Sequence, residues 1–171
     1  MRFTFHPMSE ADARSILAWR YEGPYVVYNM GGDAESAESA RAELLDPRSP
    51  YFAAHNEHGE LAGFFAFGTS AEVGQGPVTP ALFSANHMLS VGLGLRPDLT
   101  GQAHGIGLAF VNAGLAFARE RFQPAVFRLF VLAFNQRAVR VYERAGFAQV
   151  GVLHVRTPHG ERDFIEMRRD A

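Results

Sequence analysis

A glycine-rich segment from Gln102 to Gly107 stands between an apolar run, Val91 to Leu95, and a segment with helical periodicity. This order predicts a strand, a loop and the first turn of a helix. At such a junction several backbone N–H groups can point at one anion, because glycine accepts the required backbone angles and has no side chain that blocks the approach. The segment therefore predicts a binding site for a pyrophosphate.

A second motif runs from Asn135 to Phe147 and contains Ala138, Tyr142 and Gly146. A predicted helix and a predicted buried strand separate it from the glycine-rich segment, so that both motifs can meet on one ligand. In this order, the patterns Q-x-x-G-x-G and N-x-x-A-x-x-x-Y-E-x-x-G-F resemble the acetyl-CoA-binding motifs of the GNAT superfamily of acyl-CoA-dependent N-acetyltransferases. On these motifs the chain is identified as a member of that superfamily.

The resemblance implies that acetyl-CoA is the co-substrate. In the family, the strand before the loop splays away from its neighbour, so that its backbone can pair with the amides of the pantetheine arm. The residues that match the cofactor-binding positions are Leu93, Leu95, Gln102, Ala103, His104, Gly105, Ile106, Gly107 and Asn135. A short insertion after Pro97 leaves a second register open, from Thr100 to Gly105, so that Gly105 and Gly107 are the anchors of the match.

The resemblance also implies direct transfer of the acetyl group to an amine in a ternary complex. Tyr142 would place its hydroxyl near the thioester sulfur as general acid, and helical spacing puts it on the face of Ala138 and Val139, from which it can project inward. A phenol, with a reference pKa of about 10, is protonated at neutral pH as such a donor must be. Two interpretations of Asn135 stay open: a contact to pantetheine, and the N-cap of the following helix.

The sequence does not identify the base that deprotonates the acceptor amine. His87, near the start of the strand that leads to the loop, is a candidate catalytic residue, with Glu22 or an ordered water as alternatives. A neutral amine needs no dedicated base.

The acceptor is expected to be a small-molecule or peptide amine. The aromatic segment from Trp19 to Asn29 is similar to the acceptor-side segment of a bacterial branch of the superfamily. Its Glu22, Tyr25 and Tyr28 are candidate substrate-binding residues, although the aromatic rings could equally cover an edge of the core.

Composition limits the classes of function. The 171 residues, with 47% hydrophobic residues and 15 Phe, predict one domain over 1–171. The net charge of -2 gives no reason to expect a nucleic-acid partner. There is no cysteine for a disulfide, a thiolate metal site or a cysteine nucleophile, and His55 and His58 lack further ligands, so no metal is expected. We see no signal peptide and no apolar run of about 20 residues, which predicts a cytoplasmic protein without a membrane partner and leaves a homodimer open.

The order of elements shows how the motifs would be held. Strands are predicted at 2–6, 51–55, 61–67, 88–95, 126–133, 147–154 and 162–167, and helices at 9–20, 34–45, after Gly107 and after Asn135. This order predicts a mixed α/β, α+β-like fold with helices on the faces of the sheet. The resemblance implies a mostly antiparallel sheet of about seven strands with a splayed central pair. Gly92 and Gly94, which weaken a strand interior, predict a bulge or a close approach by the ligand.

Two other functions were weighed against acetyl transfer. A dinucleotide-binding oxidoreductase is disfavoured, because Phe110 stands where the G-x-G-x-x-G fingerprint needs a small residue. A catalytically inactive acyl-CoA-binding or sensing module stays open, because a fold does not determine a function.

Overall fold

The computed structural model describes residues 1–74, 81–102, 105–157 and 160–171. The strands are β1 (Phe3–Pro7), β2 (Tyr51–Asn56), β3 (Leu61–Phe67), β4 (Phe83–Ser84), β5 (Met88–Leu95), β6 (Val126–Leu132), β7 (Ala148–Thr157) and β8 (Gly160–Asp170). The helices are α1 (Glu10–Leu17), α2 (Ala34–Leu45), α3 (Ile106–Phe122) and α4 (Gln136–Arg144). The sequence missed only the short strand β4 and several short 3-10 turns, among them Gly23–Tyr28 in the aromatic segment. In the described ranges no helix is both long and apolar enough to cross a membrane.

The strands form one mixed sheet in the order β1-β2-β3-β5-β6-β8-β7, and β4 pairs with the start of β5. Most neighbours are antiparallel, whereas β5 and β6 are parallel over three residue pairs, from Met88 with Val126 to Ser90 with Arg128. Beyond Ser90 the two strands part, and the rest of β5 pairs with β3 alone among the described strands. The predicted mixed, mostly antiparallel sheet with a splayed central pair is confirmed.

Helices cover both faces of this sheet. Phe65 and Phe67 of β3 belong to the main core, which α3 covers, whereas Ala66 belongs to a smaller cluster with α1 and α2. Successive strand residues point to opposite faces, so the two clusters lie on opposite sides of the sheet. The axis of α3 runs close to β3, since a β-carbon on Gly114 would lie 2.1 Å from the ring of Phe65.

Local sequence signals begin and end the helices. The Ser9 hydroxyl accepts the Asp12 N–H at 3.1 Å and caps α1, and Asp33 caps α2 in the same way through Ser36 at 2.8 Å. Gly146, with φ at 91°, follows the end of α4, where a left-handed residue is favoured. The helix α3 differs, because Gly105 precedes it with no side-chain cap.

The bulge that Gly92 and Gly94 predict is not present. Pairing of β5 with β3 is regular through both glycines. A β-carbon on Gly94 would lie 2.4 Å from the ring of Phe64, its partner across the strands. Glycine at this position therefore makes room for an aromatic ring of the protein.

Candidate active site

The gap between β5 and β6 exposes a row of backbone groups. The N–H of Arg96 donates to the carbonyl of Ala62 at 2.8 Å, toward β3. Because hydrogen-bonding direction alternates along an antiparallel strand, the N–H and C=O groups of Leu93 and Leu95 point the other way, into the gap. The hydroxyl of Tyr21 marks this direction, since it donates to the Leu95 carbonyl at 2.9 Å. The two leucines predicted to bind pantetheine thus present their backbone to the gap.

A buried polar cluster closes the inner end of the gap. Arg128 donates to a carboxylate oxygen of Glu72 and, at 3.0 and 2.9 Å, to the hydroxyl of Ser90, which itself donates to Glu72 at 3.0 Å. Ser90 is 1% exposed, and it is the last residue of β5 that pairs with β6. The three side chains therefore tie the strands together where they begin to part.

The N-terminus of α3 faces the same gap with backbone donors that no hydrogen bond of the helix uses. Gly105 has φ at 71°, and the first hydrogen bond of the helix runs from the Ala109 N–H to the Gly105 carbonyl at 3.0 Å. The N–H groups of Ile106, Gly107 and Leu108 precede this bond and have no acceptor within the helix. These donors and the positive end of the helix dipole suit an anion.

A cleft joins the gap, the loop and the aromatic segment, and the other residues of the predicted loop differ in whether they line it. Gln102 lines the cleft, but its side-chain amide donates to the Asp98 carbonyl at 2.6 Å and folds back on the preceding turn. Ala103 and His104 lie outside the described residues. Gly105 and Gly107 line the cleft, whereas Ile106 starts α3 without lining it.

One continuous cleft of about 450 Å³ joins the gap, the loop and the aromatic segment. Its walls include Trp19, Tyr21, Tyr25, Tyr28, Met30, Phe64, Leu93, Leu95, Gly101, Gly105, Gly107, Phe130, Asn135, Arg137, Tyr142 and Arg144. The residues of both motifs are therefore brought together, as expected from their order in the chain.

Asn135 has two roles at the start of α4. Its side-chain oxygen accepts the Ala138 N–H at 3.1 Å, so the N-cap interpretation is confirmed. Its side-chain NH2 donates to the hydroxyl of Tyr28 at 3.0 Å, and Asn135 is 8% exposed. The amide thus links α4 to the aromatic segment, while its contact to pantetheine stays a prediction.

Tyr142 projects from α4 into the cleft. Its ring centroid lies 6.2 Å from that of Phe147, and its hydroxyl makes no hydrogen bond to any residue that the structure describes. Burial raises the pKa of the Tyr142 phenol above its usual value, and the nearby Tyr28 adds to this shift. The phenol is therefore a protonated donor without an acceptor among the described residues.

The aromatic segment crosses the cleft as a strap, defined here as residues 21–29. Tyr21 holds the strap to β5 through Leu95, and Tyr28 holds it to α4 through Asn135. Tyr25 stacks near Tyr28, with ring centroids 6.5 Å apart. Burial raises the pKa of Tyr21 to about 12, with Tyr28 as a second cause.

Of the candidate acceptor-side residues, Tyr25 and Tyr28 line the cleft and Glu22 does not. Glu22 is exposed, in extended conformation before the turn that begins at Gly23. The Glu22 carboxylate therefore lies outside the cleft lining, and its role in substrate binding stays a prediction.

Sequence reasoning missed two arginines of the site. Arg137 and Arg144 line the cleft and share one face of α4 with Val141, because they are spaced by four and three residues. The Arg137 guanidinium lies 4.5 Å from the ring centroid of Tyr25. A β-carbon on Gly101 would lie 2.7 Å from its Nη1 atom, which places this charge beside the glycine-rich loop. Arg137 lies five residues before Tyr142 and Arg144 two residues after it, so helical spacing from Tyr142 gave no signal for either arginine.

His87 lies away from the cleft. Its ring is exposed and stacks on Phe83 with centroids 3.8 Å apart, just before β5 begins. The distance along the strand from His87 to Leu93 is roughly 20 Å, from about 3.3 Å per residue. The structure does not bring this candidate base to the gap.

The described residues contain no group of three or more histidine, cysteine or acidic side chains that could hold a metal ion. His55, one of the histidines weighed as a ligand, instead has its Nε2 atom 3.0 Å from Asp12.

Comparison with known proteins decides the family. The family model for the acetyltransferase (GNAT) domain matches residues 2–148. The chain belongs to the GNAT acetyltransferase family. A mycothiol acetyltransferase of Propionibacterium freudenreichii subsp. shermanii is 34% identical over 130 residues, in a match that covers 72% of this chain and 36% of that relative. This GNAT chain thus matches about a third of the length of that relative.

Solved structures share the fold over nearly the whole chain. An acetyltransferase (GNAT family) from Bacillus anthracis has a TM-score of 0.73 at 13% identity, covering 99% of this chain and 95% of the other. AAC(6')-Ib in complex with parmomycin and acetyl-CoA has a TM-score of 0.71 at 19% identity, with coverage of 99% and 94%. Identities this low show the fold alone.

Proposed function

We propose that this protein transfers the acetyl group of acetyl-CoA directly to a primary amine in a ternary complex. The observation that carries the proposal is the backbone edge of Leu93 and Leu95, which faces a gap with free helix N–H groups at one end and Tyr142 in its wall. A thioester with a diphosphate and an amide-containing arm needs these three features together. The likeness to AAC(6')-Ib, which was solved with acetyl-CoA, supports the same ligand here.

Different groups of the cleft would bind different parts of acetyl-CoA. The N–H groups of Ile106, Gly107 and Leu108 would hold the diphosphate, and Arg137 adds positive charge beside the loop. The carbonyl and N–H of Leu95 would pair with the pantetheine arm once the Tyr21 hydroxyl yields or shares its acceptor. These contacts use backbone groups for the most part, so leucines suffice on the strand, whereas the positive φ of Gly105 favours glycine before the helix.

In the reaction, the amine nitrogen forms a bond to the acetyl carbon while the carbon–sulfur bond breaks. The amine loses one proton to solvent, and the thiolate gains one. Burial raises the pKa of Tyr142, whereas a thiol has a reference pKa of about 8.5, so complete proton transfer from the phenol to the sulfur is uphill. Tyr142 therefore acts chiefly by donating a hydrogen bond to the negative charge that develops on sulfur.

Release of free thiol tests this function. The protein is mixed with acetyl-CoA and each member of a panel of primary amines, and CoA thiol is followed with time. We expect release that depends on the amine and saturates, together with mass-spectrometric detection of the N-acetylated product. Saturable binding of CoA without any amine-dependent release would instead identify a sensing module.

The pH dependence of kcat/KM should be set by the pKa of the acceptor amine. The charged side chains that line the cleft in the described ranges are arginines, and the pKa of Tyr142 and of Tyr21 is raised by burial. Both phenols thus stay protonated through the working range, and kcat/KM should rise about tenfold per pH unit up to the pKa of the amine. Two acceptors of different pKa should give two different inflections. An inflection shared by both acceptors near 6.5, the reference pKa of histidine, would instead indicate a histidine base.

A further inference from the structure

The cleft walls are rich in aromatic rings. Trp19 stacks on Phe64 with centroids 6.2 Å apart, and Phe134 packs against Tyr25 at 5.7 Å. Phe134 does not line the cleft but contacts Tyr25 and Tyr28, which do, so it lies at the rim, where it is 40% exposed. These surfaces can bury an apolar body and offer little to a second charged group of a substrate.

The described residues that line the cleft include no carboxylate. Arg137 and Arg144 are the ionisable residues other than tyrosine in the described lining, and none of the positions outside the described ranges is Asp or Glu. Arg137 also covers the ring of Tyr25, so the face of that ring is not free to hold an ammonium group.

Carboxylates lie outside this lining: Glu161 and Asp163 line a separate pocket beside Phe134, and Asp163 pairs with His154. Asp98 is bound to Arg96 at 2.7 Å, and Glu72 is held by Arg128 and Ser90. Glu22 is exposed outside the cleft. A substrate with a second ammonium group would therefore lose its hydration on entering the cleft without gaining a counter-charge.

From these contacts we infer that the acceptor is a monoamine with an apolar body, and that diamines and other polycations are excluded. This inference rests on the proposed acetyl transfer and names the class of its acceptor. The amine reacts in its neutral form, so a monoamine enters uncharged and buries its body against the rings. A diamine brings a second ammonium group that meets no carboxylate among the described residues of the lining.

Hexylamine and 1,6-diaminohexane form a matched pair for the test, because they share the chain length and the reacting group. We expect kcat/KM for hexylamine to exceed that for the diamine by at least about 100-fold at the same pH, with 2-phenylethylamine resembling hexylamine. Equal or faster turnover of the diamine would overturn the inference and leave acetyl transfer standing. Absence of thiol release with every amine, while CoA still binds, would overturn both.

A charge placed at the rim gives a second, independent readout. Phe134→Glu adds a carboxylate next to Tyr25 and Tyr28, and Phe134→Gln is the uncharged control of the same shape as glutamate. The position is partly exposed, so both variants are expected to fold. We expect Phe134→Glu to raise kcat/KM for the diamine at least about tenfold over Phe134→Gln, with the two variants alike toward hexylamine. The same diamine activity in both variants would count against electrostatic selection.

Discussion

Tyr142→Phe is expected to lower kcat by about 100-fold while changing the affinity for CoA by less than about threefold. The substitution removes one hydroxyl and keeps the ring that packs near Phe147. A preorganised donor to charge that appears only in the transition state contributes on this scale to kcat and little to ground-state binding. Steady-state kinetics and calorimetry with CoA measure the two quantities separately.

Tyr51→Phe is the control for this prediction. The Tyr51 hydroxyl donates to Glu43 at 2.7 Å, and Tyr51 does not line the cleft. Its loss should reduce stability by about 1–3 kcal/mol, because a hydrogen bond to a charged group is removed, and should leave kcat near that of the wild type. Parallel losses of kcat and CoA affinity in Tyr142→Phe would assign Tyr142 to packing rather than to chemistry.

Gly107→Asp is expected to weaken CoA binding by at least about 100-fold without unfolding the protein. A carboxylate about 4 Å from a phosphate is repelled by about 4 kcal/mol at an effective dielectric constant near 20, and partial exposure to solvent reduces this figure. The same carboxylate in the first turn of α3 favours the helix by about 0.3–1 kcal/mol. Calorimetric Kd should therefore rise while the melting temperature stays the same or increases.

Gly107→Ala is the control that adds a side chain at this position without adding a charge. A β-carbon at this position would lie 3.7 Å from Cγ2 of Val141, which is an ordinary contact. The alanine variant should bind CoA within a few-fold of the wild type. If the aspartate variant bound CoA as tightly as the alanine variant, the diphosphate would not lie at the N-terminus of α3.

Local chemistry made much of this fold predictable. Three local features could be predicted: the caps at Ser9 and Asn135 and the glycine that follows α4. Each depends on residues within a few positions along the chain. The position of α3 after the glycine-rich loop was predictable for the same reason. The backbone edge at Leu93 and Leu95 followed from a resemblance, and pairing with β3 explains it physically.

Contacts between distant parts of the chain were not predictable from patterns. The hydrogen bond from Tyr21 to Leu95 spans 74 residues, and that from Asn135 to Tyr28 spans 107. The sequence placed His87 correctly at the start of β5, but only the pairing of β5 with β6 shows that this is the closed end of the gap. Arg137 was overlooked because its neighbour Gly101 lies on another element.

A strand edge left open within a sheet is a liability in any protein, because its unpaired N–H and C=O groups can recruit an extended segment of another chain. While no ligand is bound, the strap reduces this risk by occupying part of the open edge. The Tyr21 phenol donates to the Leu95 carbonyl, and Tyr25 and Tyr28 of the strap line the same cleft. An intruding polypeptide would have to displace the Tyr21 hydroxyl first, so this contact protects the open edge against aggregation.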